Sequence, residues 1–88
     1  MKNNAQLFDE LCKALCHIQS QKDMKDFLID IGTPAELTAW SERWQIAQYI
    51  NQKIPYRKIA QLTGASTATI TRVARCVNGD IKGYKKQL

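Results

Sequence analysis

Apolar residues recur along this chain at three- and four-residue steps, the spacing of helices that bury one face. The pattern predicts a first helix over residues 5–18, which Asn3 or Asn4 can cap, and a second helix from Ser20 to Gly32. The apolar stripes comprise Leu7, Phe8, Leu11, Leu15 and Ile18 in the first helix and Met24, Phe27, Leu28 and Ile31 in the second. Such stripes must be buried on the same domain or on another subunit, so residues 5–32 are interpreted as dimerisation helices.

Residues 33–53 are predicted to form one long central helix. Thr33 can cap it, Pro34 suits its first turn, and Glu36 can complete a capping box. Its apolar residues lie on nearly all sides, which a monomer of 88 residues can hardly surround. The pattern therefore favours a homodimer with interleaved helices. The alternative is a partly exposed helix, because single exposed apolar side chains are common.

Residues 55–78 have the pattern of two short helices that meet at a tight turn. Gly64 follows Ala60 by four residues, where a helix ends and the chain reverses through a left-handed backbone conformation. Ser66 can then cap the second helix. This is the pattern of a helix-turn-helix, whose second helix enters the DNA major groove.

The second helix of this motif has an apolar face and a polar face. Its predicted core positions are Ile70, Val73, Ala74 and Val77. The opposite face begins with small residues, which permit close approach to base edges, and continues with arginines, which bind guanine or phosphate. An ordinary amphipathic helix with two solvated arginines is the alternative. The predicted DNA contacts are Arg57, Lys58, Ser66, Thr67, Ala68, Thr69, Thr71, Arg72 and Arg75.

The distribution of charge favours double-stranded DNA as the partner. Residues 1–42 contain four lysines and seven acidic residues, whereas residues 43–88 contain nine lysines or arginines and a single acidic residue, Asp80. The basic half is therefore the half that contains the predicted helix-turn-helix, as phosphate binding requires.

The C-terminal residues 79–88 leave two interpretations open. They form either a short helix that packs through Ile81, Tyr84 and Leu88, or a basic tail that lies on the DNA backbone. No linker interrupts the chain, so residues 1–88 are predicted to be a single all-α domain. No apolar run reaches membrane-spanning length and no signal peptide precedes the first helix, so no membrane partner and a cytoplasmic location are expected.

Few residues could carry metal or catalytic chemistry. Cys12, Cys16 and His17 do not converge on one face of a helix, and the chain's cysteines, Cys76 included, are expected to be small buried hydrophobic residues. With one histidine, no serine paired with a base and no glycine-rich phosphate loop, the sequence predicts neither a metal site nor an enzyme.

The segments TPAE, SERWQIAQYI and RKIAQLTGASTATITR resemble the Trp repressor superfamily over about Thr33 to Asn78. The continuation Val-Ala-Arg-Cys resembles its YerC/YecD-type branch more than the tryptophan-sensing repressors. The resemblance implies an all-helical, intertwined homodimer that binds a palindromic operator and represses transcription. A helical protein–protein interaction module without DNA specificity is the alternative function.

The resemblance also implies tryptophan as a corepressor, held between Arg43 and Arg72 with Thr33 near its amino group. Val73 stands where those repressors have glycine beside the indole, and Cys76 stands in place of a serine. The three carbons that valine adds would overfill the ligand site, at a typical cost of about 1–3 kcal/mol or more. The sequence therefore predicts no required cofactor. Phosphate contact or intersubunit ion pairing are the other roles open to the two arginines.

Overall fold

Six α-helices and no strands make up the protein in the computed structural model, which describes residues 1–88. The all-α prediction is confirmed. The chain divides into two compact units, Met1–Pro34 and Ala35–Leu88. The helices, in chain order, are α1 (Asn4–His17), α2 (Gln21–Ile31), α3 (Pro34–Asn51), α4 (Tyr56–Thr63), α5 (Thr67–Val77) and α6 (Gly83–Gln87).

The first unit consists of α1 and α2, and local hydrogen bonds set where each begins. The Asn3 side chain accepts the Gln6 N–H, and the Gln6 side chain accepts the Asn3 N–H, both at 2.9 Å, so Asn3 caps α1 in a capping box. The Ser20 hydroxyl caps α2 by accepting the Asp23 N–H at 3.1 Å. Neither helix contains a fully buried residue, and Leu7 and Phe8 are 52% and 64% exposed.

The hydrophobic core of the second unit lies where α3, α4 and α5 meet. Every predicted core position of α5 is buried, which confirms the assignment of its apolar face. Around this core pack partly buried side chains, including Tyr84 of α6, whereas Ile81 is 92% exposed and Leu88 also lies at the surface. Residues 83–87 are therefore helical, and Tyr84 is the predicted apolar residue of this segment that packs against the core. The core residues are Ile46 and Ala47 of α3, Ile59 of α4, and Ile70, Val73 and Val77 of α5.

The prediction that the cysteines are buried is wrong for two of the three. All three thiols are free, but Cys16 and Cys76 are exposed and only Cys12 is partly buried. At about 100° per residue, Cys16 lies well away from the Leu11–Leu15–Ile18 stripe, and Cys76 lies off the core face of α5. At these two positions the side of the helix on which the residue lies decides its exposure, although cysteine is more often buried than exposed.

The helix α3 ends in a turn that lacks the usual sequence signal, a glycine at the left-handed position. The Ile54 N–H donates to the Tyr49 carbonyl at 3.1 Å and the Lys53 N–H donates to the Ile50 carbonyl at 3.0 Å, the paired bonds of a Schellman motif. Lys53 occupies the left-handed position of this motif, with φ of 66°, where glycine is the usual residue.

Replacing Lys53 with glycine is expected to stabilise the protein, because glycine has no Cβ to strain in the left-handed conformation. The expected gain in the free energy of unfolding is about 1 kcal/mol, measured by urea denaturation. Lys13→Gly is the matched control in the interior of α1, where the same substitution should cost about 1 kcal/mol. Equal losses in both variants would contradict the strain argument.

Candidate nucleic-acid interface

The turn between α4 and α5 is closed by hydrogen bonds at consecutive residues. Gly64 has φ of 73°, and its N–H donates to the Ala60 carbonyl at 2.9 Å. The Thr63 hydroxyl donates to the Ile59 carbonyl at 2.8 Å and accepts the Ala65 N–H at 3.1 Å. A Cβ added at Gly64 would meet nothing within 4 Å, so backbone conformation rather than space favours glycine there. The predicted left-handed turn is confirmed, and the side chain of Thr63 stabilises it as well.

Ser66 sets the start of α5. Its hydroxyl oxygen accepts the Thr69 N–H at 3.1 Å and lies 3.0 Å from the Thr69 hydroxyl oxygen. The predicted cap is therefore confirmed, and the hydroxyl that was also predicted to contact DNA is engaged within the protein. The same bonds hold the first turn of α5, so that Thr67 and Ala68 project from a fixed helix end.

Most of the predicted DNA contacts are exposed on the second unit. Thr69 and Thr71 are half-buried at the edge of the polar face of α5. Ile59 of α4 and Ile70 of α5 are both buried in the shared core, which orients the two helices and turns their polar faces outward. The exposed members are Arg57 and Lys58 of α4, Ser66 before α5, and Thr67, Ala68, Arg72 and Arg75 of α5.

The charge of this surface is not neutralised within the chain. Residues 55–78 contain Arg57, Lys58, Arg72 and Arg75 and no acidic residue. The ion pairs of Lys2 with Glu10 and of Lys22 with Asp26 both lie in the acidic half, and no basic residue after position 42 has a carboxylate within ion-pairing distance. The guanidinium groups are therefore available to an external anion such as DNA phosphate.

The residues predicted for a tryptophan pocket are divided between the two units. Thr33 belongs to the first unit, Arg43 is half-buried on α3 and Arg72 is exposed on α5. Val73 is 1% exposed and is part of the core, where it packs with apolar side chains. Cys76 lines a mainly apolar cavity of about 600 Å³ in the second unit, together with Trp44, Arg75, Asp80, Ile81 and Tyr84.

The fold of the second unit thus defines a class: a helical protein with a helix-turn-helix whose outer face is basic. The model of the family described as Trp repressor protein matches residues 6–88. The chain is also 32% identical over 80 residues to the "Uncharacterized protein YerC" of Bacillus subtilis (strain 168), covering 91% of this chain and 77% of that protein. The chain belongs to the Trp repressor protein family, as its sequence resemblance predicted.

Membership of this family suggests a DNA-binding regulator rather than an enzyme. None of the helices combines the length and the apolar character needed to cross a membrane. The six-helix architecture agrees with a Trp-repressor-like fold.

Proposed function

We propose that this protein is a sequence-specific transcription regulator that binds operator DNA through α5 and represses transcription. The observation that carries the proposal is the exposed, uncompensated basic face of a tightly packed helix-turn-helix. Ala68 near the start of α5 permits close approach to base edges, while Arg72 and Arg75 provide donors for guanine or phosphate. Arg57 and Lys58 at the start of α4 supply contacts to the DNA backbone, in the cytoplasmic location expected from the sequence.

The protein is proposed to act as a homodimer on a palindromic operator. A single helix-turn-helix reads a short half-site, and two copies read both halves of a palindrome about one helical turn apart. The support lies in apolar surface that the chain leaves open: Leu7 and Phe8 on α1, and Trp40 and Trp44 on α3, which are 42% and 38% exposed. Exposed aromatic side chains are enriched at surfaces that another chain covers.

DNA binding is proposed to be independent of tryptophan. Val73 fills the position beside the expected indole and is itself part of the core, so a ring placed there would have to displace a packed side chain. Arg43 and Arg72 are more simply explained as contacts to DNA or to a second subunit.

The test is selection of bound fragments from random or genomic DNA, followed by affinity measurements at about 50 mM salt with and without tryptophan. A palindromic motif bound equally in both conditions is the expected outcome. A motif recovered only with tryptophan would contradict the proposed independence. If no fragment is retained and the protein instead associates with another protein through Trp40 and Trp44, the interaction-module alternative replaces the regulator.

Arg72→Ala is expected to weaken binding to the selected operator by roughly ten- to a hundredfold, since one good base contact contributes about 1–3 kcal/mol. The measurement is fluorescence anisotropy with labelled operator. Lys25→Ala is the control, because it removes one positive charge from an exposed site in the acidic half. An Arg72 variant that binds as tightly as the Lys25 variant would show that α5 does not read this DNA.

A further inference from the structure

A second cationic site lies beside the helix-turn-helix, in a cleft of about 330 Å³ within the second unit. The cleft is bordered by the turn after α3, the start of α4, the end of α5 and a lysine of α6. Its polar lining consists of Lys53, Lys85, Asn51, Asn78 and Tyr56. These residues share no pattern in the sequence, because they come from four separate segments of the chain.

The composition of this cleft is that of an anion site. Its lining contains two lysines and no acidic residue, and neither lysine has an ion pair. Two ammonium groups placed around one cleft repel each other, and an anion between them converts that repulsion into attraction. The two asparagine amides and the tyrosine hydroxyl add hydrogen-bond donors without adding negative charge. A phosphate group, with several acceptor oxygens, matches this set of donors.

The backbone conformation of Lys53 is consistent with a role for its side chain in binding an anion. Its backbone is in the left-handed conformation that glycine adopts at lower cost, and yet the chain has lysine there. The two hydrogen bonds of the Schellman motif fix this backbone, so the Cα atom from which the Lys53 side chain extends has a defined position.

The cleft borders the start of α4, the helix that also carries two of the proposed DNA contacts. Pro55 and Tyr56 line the cleft, and Arg57 and Lys58, the proposed backbone contacts, follow them directly on α4. Tyr84 packs against the core and thereby anchors α6, which places the neighbouring Lys85 at the cleft. The helix α6 therefore packs on the core through Tyr84 and presents Lys85 to the cleft.

We propose that this cleft binds one phosphate of the DNA backbone, held jointly by Lys53 and Lys85, and that it extends the DNA contact beyond the helix-turn-helix. The inference rests on the proposed DNA-binding function. It assigns Lys53 and Lys85 to one phosphate rather than to two, because both lysines line the same cleft. A free phosphate ion offers the same chemistry, and the experiment below separates the two sources.

The test uses the full chain and its selected operator, with affinity measured by anisotropy over a series of salt concentrations. The variants are Lys53→Gln, Lys85→Gln and the double variant, with Lys25→Gln as the control for simple loss of charge. The double variant is expected to bind about tenfold more weakly at about 50 mM salt, and the slope of log K against log salt should fall by about 0.9, the value for one phosphate contact. Two independent contacts would lower it by about 1.8 and would overturn the shared site.

Lys53→Gly separates a binding effect from loss of folding. This variant is expected to resist urea better than the unsubstituted protein while binding the operator several-fold more weakly. Greater stability combined with weaker binding supports the phosphate contact, because partial unfolding would lower both. Undiminished affinity in Lys53→Gly overturns it.

The remaining outcomes distinguish this inference from the proposed function. If the double variant binds like Lys25→Gln while Arg72→Ala is impaired, DNA binding stands and the phosphate cleft is overturned. If the unsubstituted protein binds no DNA, both fall. Binding of free phosphate is then tested by titrating inorganic phosphate and measuring the amide NMR shifts of Tyr56, Asn78 and Lys85. Saturable shifts in the absence of DNA binding would assign the cleft to a free anion and overturn the backbone assignment.

Discussion

Replacing Ala68 with glutamate is expected to abolish operator binding without unfolding the protein. Ala68 is exposed at the second position of α5, on the same face as Arg72 one turn later. A carboxylate at this position meets the negative surface of DNA, and like-charge juxtaposition costs several kcal/mol. It also lies four residues before Arg72, the favourable orientation for an ion pair along a helix, and would draw that guanidinium away from DNA. The expected loss is at least about a hundredfold in affinity.

The same substitution is expected to make α5 slightly more stable. The first turn of α5 contains no acidic residue, and a negative charge near a helix N-terminus typically contributes about 0.3–1 kcal/mol. Loss of binding in a protein that unfolds at equal or higher urea concentration therefore cannot be attributed to misfolding. The measurements are anisotropy with labelled operator and urea denaturation followed by circular dichroism.

The chain offers a closely matched control for this experiment. Ala5 is exposed at the second position of α1, after the Asn3 cap, and the first turn of α1 also lacks an acidic residue. Ala5→Glu should leave operator affinity nearly unchanged, and its gain in stability should be smaller because the new carboxylate lies one turn before Asp9. If the two variants bind the operator alike, α5 is not the helix that approaches DNA.

The parts of the fold that the sequence predicts correctly are those with local causes. Gly64 adopts the left-handed conformation that its spacing from Ala60 indicates, and Ser66 caps α5 through its own side chain. The core face of α5 follows from helical periodicity alone, because Ile70 and Val77 point to the same side of one helix. Each of these features depends on residues only a few positions apart.

The parts that the sequence does not predict depend on contacts between distant segments. Lys53 and Lys85 are 32 positions apart, and only the packing of α6 through Tyr84 brings them to one cleft. The left-handed conformation of Lys53 likewise has no local signal, because glycine is absent from that position. For Val73 the sequence gives two predictions. Helical periodicity places it in the core, and the family resemblance places it in the tryptophan pocket; its burial among apolar side chains supports the core role.

Ile46→Ala is expected to cost about 2–5 kcal/mol of unfolding free energy, a large share of the roughly 5–15 kcal/mol that keeps a small protein folded. Ile46 is 0% exposed and belongs to the core that joins α3 to both helices of the helix-turn-helix. Truncation loses the free energy gained by burying the deleted methyl and methylene groups. It also leaves a cavity that the surrounding helices can fill only in part. The higher helix propensity of alanine returns only a few tenths of a kcal/mol. Operator affinity should fall as well, because the orientation of α5 depends on this core.

The control for Ile46→Ala is Ile81→Ala, which removes the same atoms from a side chain that is 92% exposed. Within a single chain this change should alter the unfolding free energy by less than about 0.5 kcal/mol. Urea denaturation at several protein concentrations extends the comparison to the proposed homodimer. A cost at Ile81 that grows with protein concentration would mean that a second copy covers this residue, since dimer formation stabilises by mass action. A cost at Ile46 no greater than that at Ile81 would contradict the core assignment, because burial is the feature that most separates the two positions.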